Sequence, residues 1–236
     1  MLTLAAASKS VWDESQSLEQ RFWTGECRQP ERFLEHLGYN ARVFRFVKPW
    51  LKEVNSSRAL EVGIGAMGIG CLSPFLGHEI ELTAIDPLPL MEMEIHDPAL
   101  RAYAHNLRQR FEFICCPGES LPFPDERFGI VACDNVLDHC QDPMKVLREM
   151  SRVLARQGIL LLTLNTFSLL GRLRFEMNRR YRPNSNHTLH PHSYTHRHIE
   201  DALRTLSWQI LDREAPKRRQ SLTGGSFFSI WVLRKT

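Results

Sequence analysis

The chain has 236 residues, of which 43% are hydrophobic and 24% are charged, and its formal net charge is +3. This balance predicts one globular domain with a sizeable core and excludes an intrinsically disordered chain. The small positive charge forms no basic stripe of the kind that binds nucleic acid, so no nucleic-acid partner is predicted.

The apolar segments are too short to cross a bilayer. The longest, "GILLLTL" at 158–164, has the length of a strand, so no membrane partner is predicted. The six cysteines follow neither a disulfide framework nor the paired C-x-x-C spacing of a zinc site. They are interpreted as free thiols of a reducing compartment, which predicts a cytoplasmic location. The sequence leaves the oligomeric state open.

The first 55 residues are predicted to be helical. Trp12, Phe22 and Trp23 are apolar anchors of a first helix, and a second runs through "YNARVFRFVKPWLKEV" (39–54), where Pro49 should disturb it. The aromatic residues either wall a pocket or belong to the core, and the core is their commoner place.

Five short apolar segments then alternate with helix-compatible segments, which predicts a parallel, doubly wound α/β sheet. These strands are "RALEV" (58–62), "ELTAID" (81–86), "FEFICC" (111–116), "FGIVACD" (128–134) and "GILLLTLN" (158–165). Two further strand candidates, 208–215 and 227–235, are too close in sequence for a crossover helix between them, so they should pair antiparallel.

The clearest helix is "DPMKVLREMSRVLAR" (142–156). Asp142 can cap it, Pro143 suits the first helical position, and Gly158 lies just past its end. Lys145 and Glu149 are spaced to pair on its surface. A second helix is predicted over 196–207, before the antiparallel strands.

A glycine-rich turn follows the first strand. Gly63, Gly65 and Gly68 form a complete G-x-G-x-x-G, and a helix containing Pro74 is expected after it. Asp86 lies 23 residues after Gly63, at the end of the second strand, where a ribose-binding carboxylate belongs in such sheets. These features suit a nicotinamide-dependent dehydrogenase and a methyltransferase equally.

Glu61, two residues before the first glycine, separates the two alternatives. Two unit charges about 4 Å apart interact with about 4 kcal/mol at an effective dielectric constant near 20. A carboxylate here penalises a pyrophosphate but favours S-adenosylmethionine, which carries an ammonium and a sulfonium and has no phosphate. The sequence therefore favours S-adenosylmethionine as cofactor, and an NAD(P)-dependent oxidoreductase stays the alternative.

The segment from Arg58 to Asn165 resembles the class I S-adenosylmethionine-dependent methyltransferases, in particular the small-molecule type 11 group. "LEVGIGAMG" (60–68) is similar to the family's glycine motif, "LTAIDP" (82–87) to its acidic motif, and 118–165 to the stretch through its fourth and fifth strands. The resemblance implies a Rossmann-like methyltransferase fold with seven strands, the last antiparallel.

The chain is accordingly predicted to be a single methyltransferase domain over 1–236. Its parts are an N-terminal helical cap (1–55), a donor-binding core (56–165), a lid (166–194), and a C-terminal helix with a β-hairpin (195–236).

Seven positions that match the family's motifs are assigned to the donor: Glu61, Gly63, Gly65, Asp86, Gly118, Glu119 and Asn135. Glu61 and the two glycines would line its methionine portion, which Asn135 would also approach. Asp86 would hold the two ribose hydroxyls. Gly118 and Glu119 would lie by the adenine.

His139 follows the fourth strand, at the edge of the sheet where ligands bind, and is the candidate catalytic residue. An imidazole there can remove a proton from an acceptor, or it can only shape the pocket. The predicted reaction is methyl transfer to a small molecule, with oxygen preferred over nitrogen as the acceptor atom. A donor-binding subunit without catalysis is the non-enzyme alternative.

Arginines and histidines crowd the predicted lid and the helix after it. Arg172, Arg174, Arg179, Arg180 and Arg182 could meet an anionic group on the acceptor, although a solvated excursion is the simpler interpretation. The histidines are His187, His190, His192, His196 and His198. They share no recognised metal pattern with a carboxylate or cysteine, so helix capping and surface placement are expected and no metal site is predicted.

Overall fold

A computed structural model describes residues 4–181, 189–206, 208–217 and 225–236. The strands are β1 Arg58–Val62, β2 Glu81–Asp86, β3 Phe111–Cys115, β4 Phe128–Asp134, β5 Leu154–Phe167, β6 Trp208–Glu214 and β7 Ser226–Lys235. The helices are α1 Lys9–Glu26, α2 Pro30–Leu51, α3 Pro98–Arg108, α4 Pro143–Val153, α5 Leu169–Tyr181 and α6 His196–Thr205.

The strands form one sheet in the order β3-β2-β1-β4-β5-β7-β6. The pairs from β3 through β5 are parallel, whereas β7 is antiparallel to both β5 and β6. The predicted doubly wound, seven-stranded sheet with an antiparallel last strand is confirmed. Every residue of β4 but the last is buried, as expected for a central strand covered on both faces.

Helix α4 is capped as predicted, because the Asp142 side chain accepts a hydrogen bond from the Lys145 N–H at 3.0 Å. It ends at Val153, three residues earlier than predicted, because Leu154 already pairs with Phe128 as the first residue of β5. Glu149 forms its ion pair with Arg152, at 2.8 Å, and the predicted partner Lys145 contributes only a weaker attraction that helps to lower the pKa of Glu149.

The helix expected after the glycine turn does not form, and residues 63–80 connect β1 to β2 through successive turns. Gly63 and Gly65 have φ of 75° and Gly68 has φ of 65°, a left-handed conformation that a continuing helix excludes. Pro74 lies in this segment and is compatible with turns, whereas it would break the interior of a helix.

Helix α2 continues past Pro49 and ends two residues later, at Leu51, so the proline interrupts only its last turn. Val43 and Val47 of α2 are fully buried against Ile230 and Val232 of β7. Helix α2 therefore shares a hydrophobic core with the sheet. Among the described residues, no helix is both long and apolar enough to span a membrane.

The predicted lid region contains regular structure. β5 extends to Phe167, and helix α5 follows it, with Phe175 buried 4.9 Å from the Phe167 ring. The six cysteines are free thiols, as predicted, and four of them are buried.

Candidate functional site

A cavity of about 720 Å³ lies at the carboxyl ends of β1, β2 and β4. Its volume is that of a site for a cofactor-sized ligand. Helix α1 contributes Trp12, Phe22 and Trp23 to the opposite wall. These three aromatic residues therefore wall a pocket, which was the less common of the two places considered for them.

Two glycines of the turn bring bare backbone to this cavity. Gly63 and Gly65 both line it, and both have the left-handed φ of 75°. A Cβ atom on Gly63 would lie 2.2 Å from Val136 Cγ2, and one on Gly65 would lie 3.0 Å from Trp23 Cζ2. Side chains at these two positions would clash or strain the turn, so only glycine keeps the backbone accessible.

Asp86 ends β2 and lines the same part of the cavity. Its Oδ2 accepts a hydrogen bond from the Gly65 N–H at 2.8 Å, and its Oδ1 accepts one from the Leu88 N–H at 2.9 Å. Each carboxylate oxygen retains a lone pair, so two further donors can bind. Burial raises the pKa of Asp86 to about 6.

Glu61 lines the cavity, but backbone donors surround its carboxylate. The Cys71 N–H donates to Oε1 at 2.5 Å, and the Leu72 N–H is shared between the two oxygens at 3.4 Å. Burial raises the pKa of Glu61 to about 7, and the neighbouring Asp134 carboxylate adds to the rise. Glu61 therefore fixes the connection after the glycine turn, and its contact with a donor stays a prediction.

Gly118 and Glu119 follow β3 and line the cavity, as the adenine prediction requires. The Oε1 atom of Glu119 accepts hydrogen bonds from the N–H groups of Gln141 at 2.7 Å and Asp142 at 3.1 Å. One carboxylate oxygen is thus committed to the turn before α4. The other retains its capacity to accept hydrogen bonds.

Asn135 directly follows β4, has the left-handed φ of 56° and lines the cavity. Its Oδ1 accepts a hydrogen bond from Asn165 Nδ2 at 3.1 Å. This contact with β5 fixes the orientation of the Asn135 amide. Its approach to the methionine portion of a donor stays a prediction.

A third buried carboxylate, Asp134, was not predicted as a site residue. It ends β4, lines the cavity, and accepts hydrogen bonds from the hydroxyls of Tyr39, at 2.9 Å, and Thr163. Burial raises the pKa of Asp134 above its ordinary value. Its place as an acid at the end of a central strand was a signal in the sequence that could have identified it. Its partner Tyr39 could not be found in this way, because it lies in α2, far from Asp134 in sequence.

His139 lies between two carboxylates. Its Nδ1 is 3.3 Å from Glu19 Oε2, and its Nε2 is 3.8 Å from Asp138 Oδ1. Burial lowers the pKa of His139, but attraction to Asp138 and Glu19 outweighs that effect and raises it to about 9. His139 lines the cavity beside α1, and its ring is oriented by groups that the sequence did not connect with it.

His190 joins this group. Its Nδ1 lies 2.9 Å from Asp138 Oδ2, and its ring centroid is 4.3 Å from that of His139. The expected surface placement is therefore wrong for His190, which lines the cavity. Helix capping is confirmed for His198, whose Nδ1 accepts a hydrogen bond from the Thr195 N–H at 3.2 Å at the start of α6.

The predicted arginine clamp is not brought to this cavity. Arg172 and Arg179 line a separate cavity of about 550 Å³ beside α5, and Arg179 pairs with Glu176 at 2.6 Å. Arg174 and Arg180 line neither of the two cavities. Arg182 and His187 lie outside the described residues. The guanidinium groups of the larger cavity come instead from α2, and they are Arg32 and Arg42.

Comparison with known families matches residues 60–162 to the model of a methyltransferase domain, Methyltransf_11. Among curated proteins, thiol S-methyltransferase TMT1B of Rattus norvegicus is 31% identical over 120 residues, which are 50% of this chain and 46% of that protein. The chain spans less than half the length of the first curated relatives it matches.

Solved structures share the fold. The Burkholderia thailandensis 1,6-didemethyltoxoflavin-N1-methyltransferase, solved with S-adenosylhomocysteine, is 17% identical with a TM-score of 0.55, covering 84% of this chain and 78% of that one. The cyclase SpnF is 20% identical with a TM-score of 0.56, covering 82% of this chain and 80% of that one. At these sequence identities the similarity shows a shared fold only. Proteins with one fold can catalyse different reactions, so the fold does not identify the reaction.

The role of Glu61 in the fold is testable by substitution. Glu61→Ala leaves the buried N–H groups of Cys71 and Leu72 without an acceptor, so we expect the free energy of unfolding to fall by about 2 to 3 kcal/mol. Urea unfolding followed by circular dichroism measures it. Glu81→Ala is the control, because the Glu81 side chain pairs with Arg58 at the exposed surface and accepts no buried backbone donor among the described residues. Equal unfolding midpoints for the two variants would contradict the assignment.

Proposed function

We propose that this chain, whose core is a class I S-adenosylmethionine-dependent methyltransferase domain of the type 11 group, methylates a small-molecule acceptor. The observation that carries the proposal is the meeting of Asp86 with Gly63 and Gly65 at one end of a large cavity. Bare backbone and a ribose-binding carboxylate at one turn are the requirements of a nucleoside ligand. The matched methyltransferase domain and a structural neighbour solved with S-adenosylhomocysteine support the same cofactor.

The chain's residues fit S-adenosylmethionine at this end of the cavity. Asp86 retains two lone pairs for two ribose hydroxyls, a charge-assisted geometry. Gly63 and Gly65 would let the donor approach the backbone. Glu61 and Asn135 are proposed for the methionine portion.

Gly118 and Glu119 are proposed for the adenine side. Gly118 is buried against Val62 and Val146, so that a Cβ atom there would lie 3.2 Å from Val62 Cγ1. A side chain at this position would therefore press against the core, and Gly118 offers only backbone to a base in the cavity. Glu119 adds one carboxylate oxygen that no backbone group occupies.

The remaining part of the cavity is proposed for the acceptor. The cofactor supplies a methyl group already activated on a sulfonium, so the protein has mainly to align the acceptor and exclude water. Trp12 and Phe22 of α1 provide an apolar wall for this purpose. Arg32 and Arg42 supply positive charge for an acceptor with an anionic group.

His139 is proposed as the catalytic residue, because its imidazole lines the cavity and is held by Glu19 and Asp138. Oxygen is proposed as the acceptor atom ahead of nitrogen. A hydroxyl must lose its proton during transfer, whereas a neutral amine needs no such partner. Because the pKa of His139 is about 9, its imidazole can receive that proton only in its neutral form, so turnover should rise with pH up to about this value.

The direct test is transfer of a labelled methyl group. We expect purified protein incubated with methyl-labelled S-adenosylmethionine and a panel of small hydroxyl, amine and thiol compounds to label one class, identified by mass spectrometry. Asp86→Asn is the matched negative control. Binding of the donor without transfer to any compound in the panel or in a cell extract would favour a non-catalytic donor-binding subunit. A rise in melting temperature with NADH alone would favour an oxidoreductase.

Donor affinity should depend on pH through Asp86. The ionised carboxylate accepts both ribose hydroxyls, and its pKa is about 6 because of burial, with Glu19 raising it and His139 lowering it. Affinity should therefore be full above this pKa and fall about tenfold between about pH 7.5 and about pH 5.

Calorimetric titration with S-adenosylhomocysteine measures this dependence. Asp86→Asn should bind more weakly and should lose this part of the pH dependence. An identical pH profile in the variant and the wild type would exclude Asp86 as its source.

His139→Ala should slow turnover at least about a hundredfold while donor affinity changes little, because general acid–base groups typically contribute about 10² to 10⁴ in rate. Single-turnover kinetics and calorimetry separate the two effects. Full activity in this variant would show that His139 only shapes the pocket.

A further inference from the structure

Three side chains beside α1 form a group that the proposed methyl transfer does not fully use. The cluster consists of Asp138, His139 and His190. Each offers a ligand atom, and the three atoms lie within 4.8 Å of one another. His139 and His190 line the cavity, whereas Asp138 lies behind them, with its side chain only 4% exposed.

The polar atoms of the cluster are buried and contact mainly one another. Asp138 Oδ1 is inaccessible to solvent and has no hydrogen-bond partner in the described structure, and the contact of His190 Nδ1 with Asp138 Oδ2 at 2.9 Å lacks hydrogen-bond geometry. Buried polar atoms without partners cost free energy, and one ligand shared by Asp138 and the two imidazoles would satisfy them. These atoms come from the turn after β4 and from the segment before α6, so no single helix or loop accounts for them.

We propose that Asp138, His139 and His190 bind a divalent transition-metal ion of the zinc type. Two imidazoles and one carboxylate form the three-ligand set that such ions take in sites with an open coordination position. Magnesium and calcium prefer all-oxygen ligands and do not suit this set. The cluster thus binds a metal class that the histidine spacing in the sequence did not reveal.

Glu19 completes the arrangement as the carboxylate partner of His139. Its Oε2 lies 3.3 Å from His139 Nδ1, which assigns the proton to Nδ1 and leaves Nε2 as the ligand atom. Nε2 is 3.8 Å from Asp138 Oδ1, close to the separation of about 3.3 Å between two ligands of a tetrahedral zinc ion. Small side-chain movements would close the site. The Trp23 Nε1–H donates to the other Glu19 oxygen at 3.0 Å and holds the carboxylate in place.

The fourth coordination position would open into the cavity, because the two histidines line it and the aspartate lies behind them. A metal ion there would bind the acceptor heteroatom and lower the pKa of its hydroxyl or thiol. Metal binding by the cluster does not depend on the proposed function. The role toward the acceptor rests on it.

The test is metal binding to the whole chain after treatment with a chelator. We expect calorimetry with Zn²⁺ to give one ion per chain and Co²⁺ to give the visible absorption of a four- or five-coordinate site. His190→Ala and Asp138→Asn should each weaken binding at least a hundredfold, and Glu19→Gln about tenfold. The control is His192→Gln, since His192 contacts the Cys140 carbonyl oxygen at 2.9 Å and does not line the larger cavity.

His190 is partly exposed, so His190→Ala keeps the test valid where Asp138→Asn fails to fold. Absence of stoichiometric binding to the wild type, or unchanged affinity in His190→Ala, would overturn the metal site. Donor binding measured in the same samples separates the two proposals. A chain that binds S-adenosylhomocysteine but no metal loses only this inference, and one that binds metal but no donor loses the proposed function.

Discussion

Two carboxylates hold the segment that replaces a helix after β1, and the geometry of the cavity depends on them. Glu61 accepts the N–H groups of Cys71 and Leu72, and Asp86 accepts that of Gly65. Buried backbone donors need acceptors. Backbone carbonyls supply some of them in this segment, such as that of Ile85 for Gly63 and Ile64, and the two carboxylates supply the acceptors for Gly65, Cys71 and Leu72. The glycine turn therefore stays open toward the cavity. Its backbone groups are accessible there, whereas in a regular helix they would be bonded to one another.

The opposite wall depends on a different set of bonds, which tie α1 to the turn after β4. Trp12 Nε1–H donates to the His139 carbonyl oxygen at 3.1 Å, and Gln16 Nε2–H donates to the same oxygen at 3.4 Å. These bonds bring Glu19, one helical turn further along α1, to the His139 ring. Helix α1 thus lines the cavity and also orients the imidazole of His139. A shift of this helix would therefore change both the cavity wall and the position of that imidazole.

The sequence predicted the features that arise from local pattern. The alternation of strands and helices predicted the sheet. The spacing from Gly63 to Asp86 predicted that the two residues share a site, and both line the same cavity. It missed contacts between distant segments, such as His190 with Asp138 and Tyr39 with Asp134, because no periodicity links residues on separate elements. It also misjudged the segment before Pro74, where the Glu61 side chain accepts the N–H groups of Cys71 and Leu72 and the chain forms turns instead of a helix.

Charge at the end of the cavity proposed for the donor also distinguishes S-adenosylmethionine from a dinucleotide, which a glycine motif alone does not. Glu61, Asp86 and Asp134 all line this end, and burial raises the pKa of each. A carboxylate with a raised pKa is stabilised in its charged form by a hydroxyl donor or a cation, whereas a pyrophosphate would raise the pKa further and be repelled. Asp86 suits the ribose of either cofactor, so Glu61 and Asp134 are the two groups that favour a cationic nucleoside over a dinucleotide.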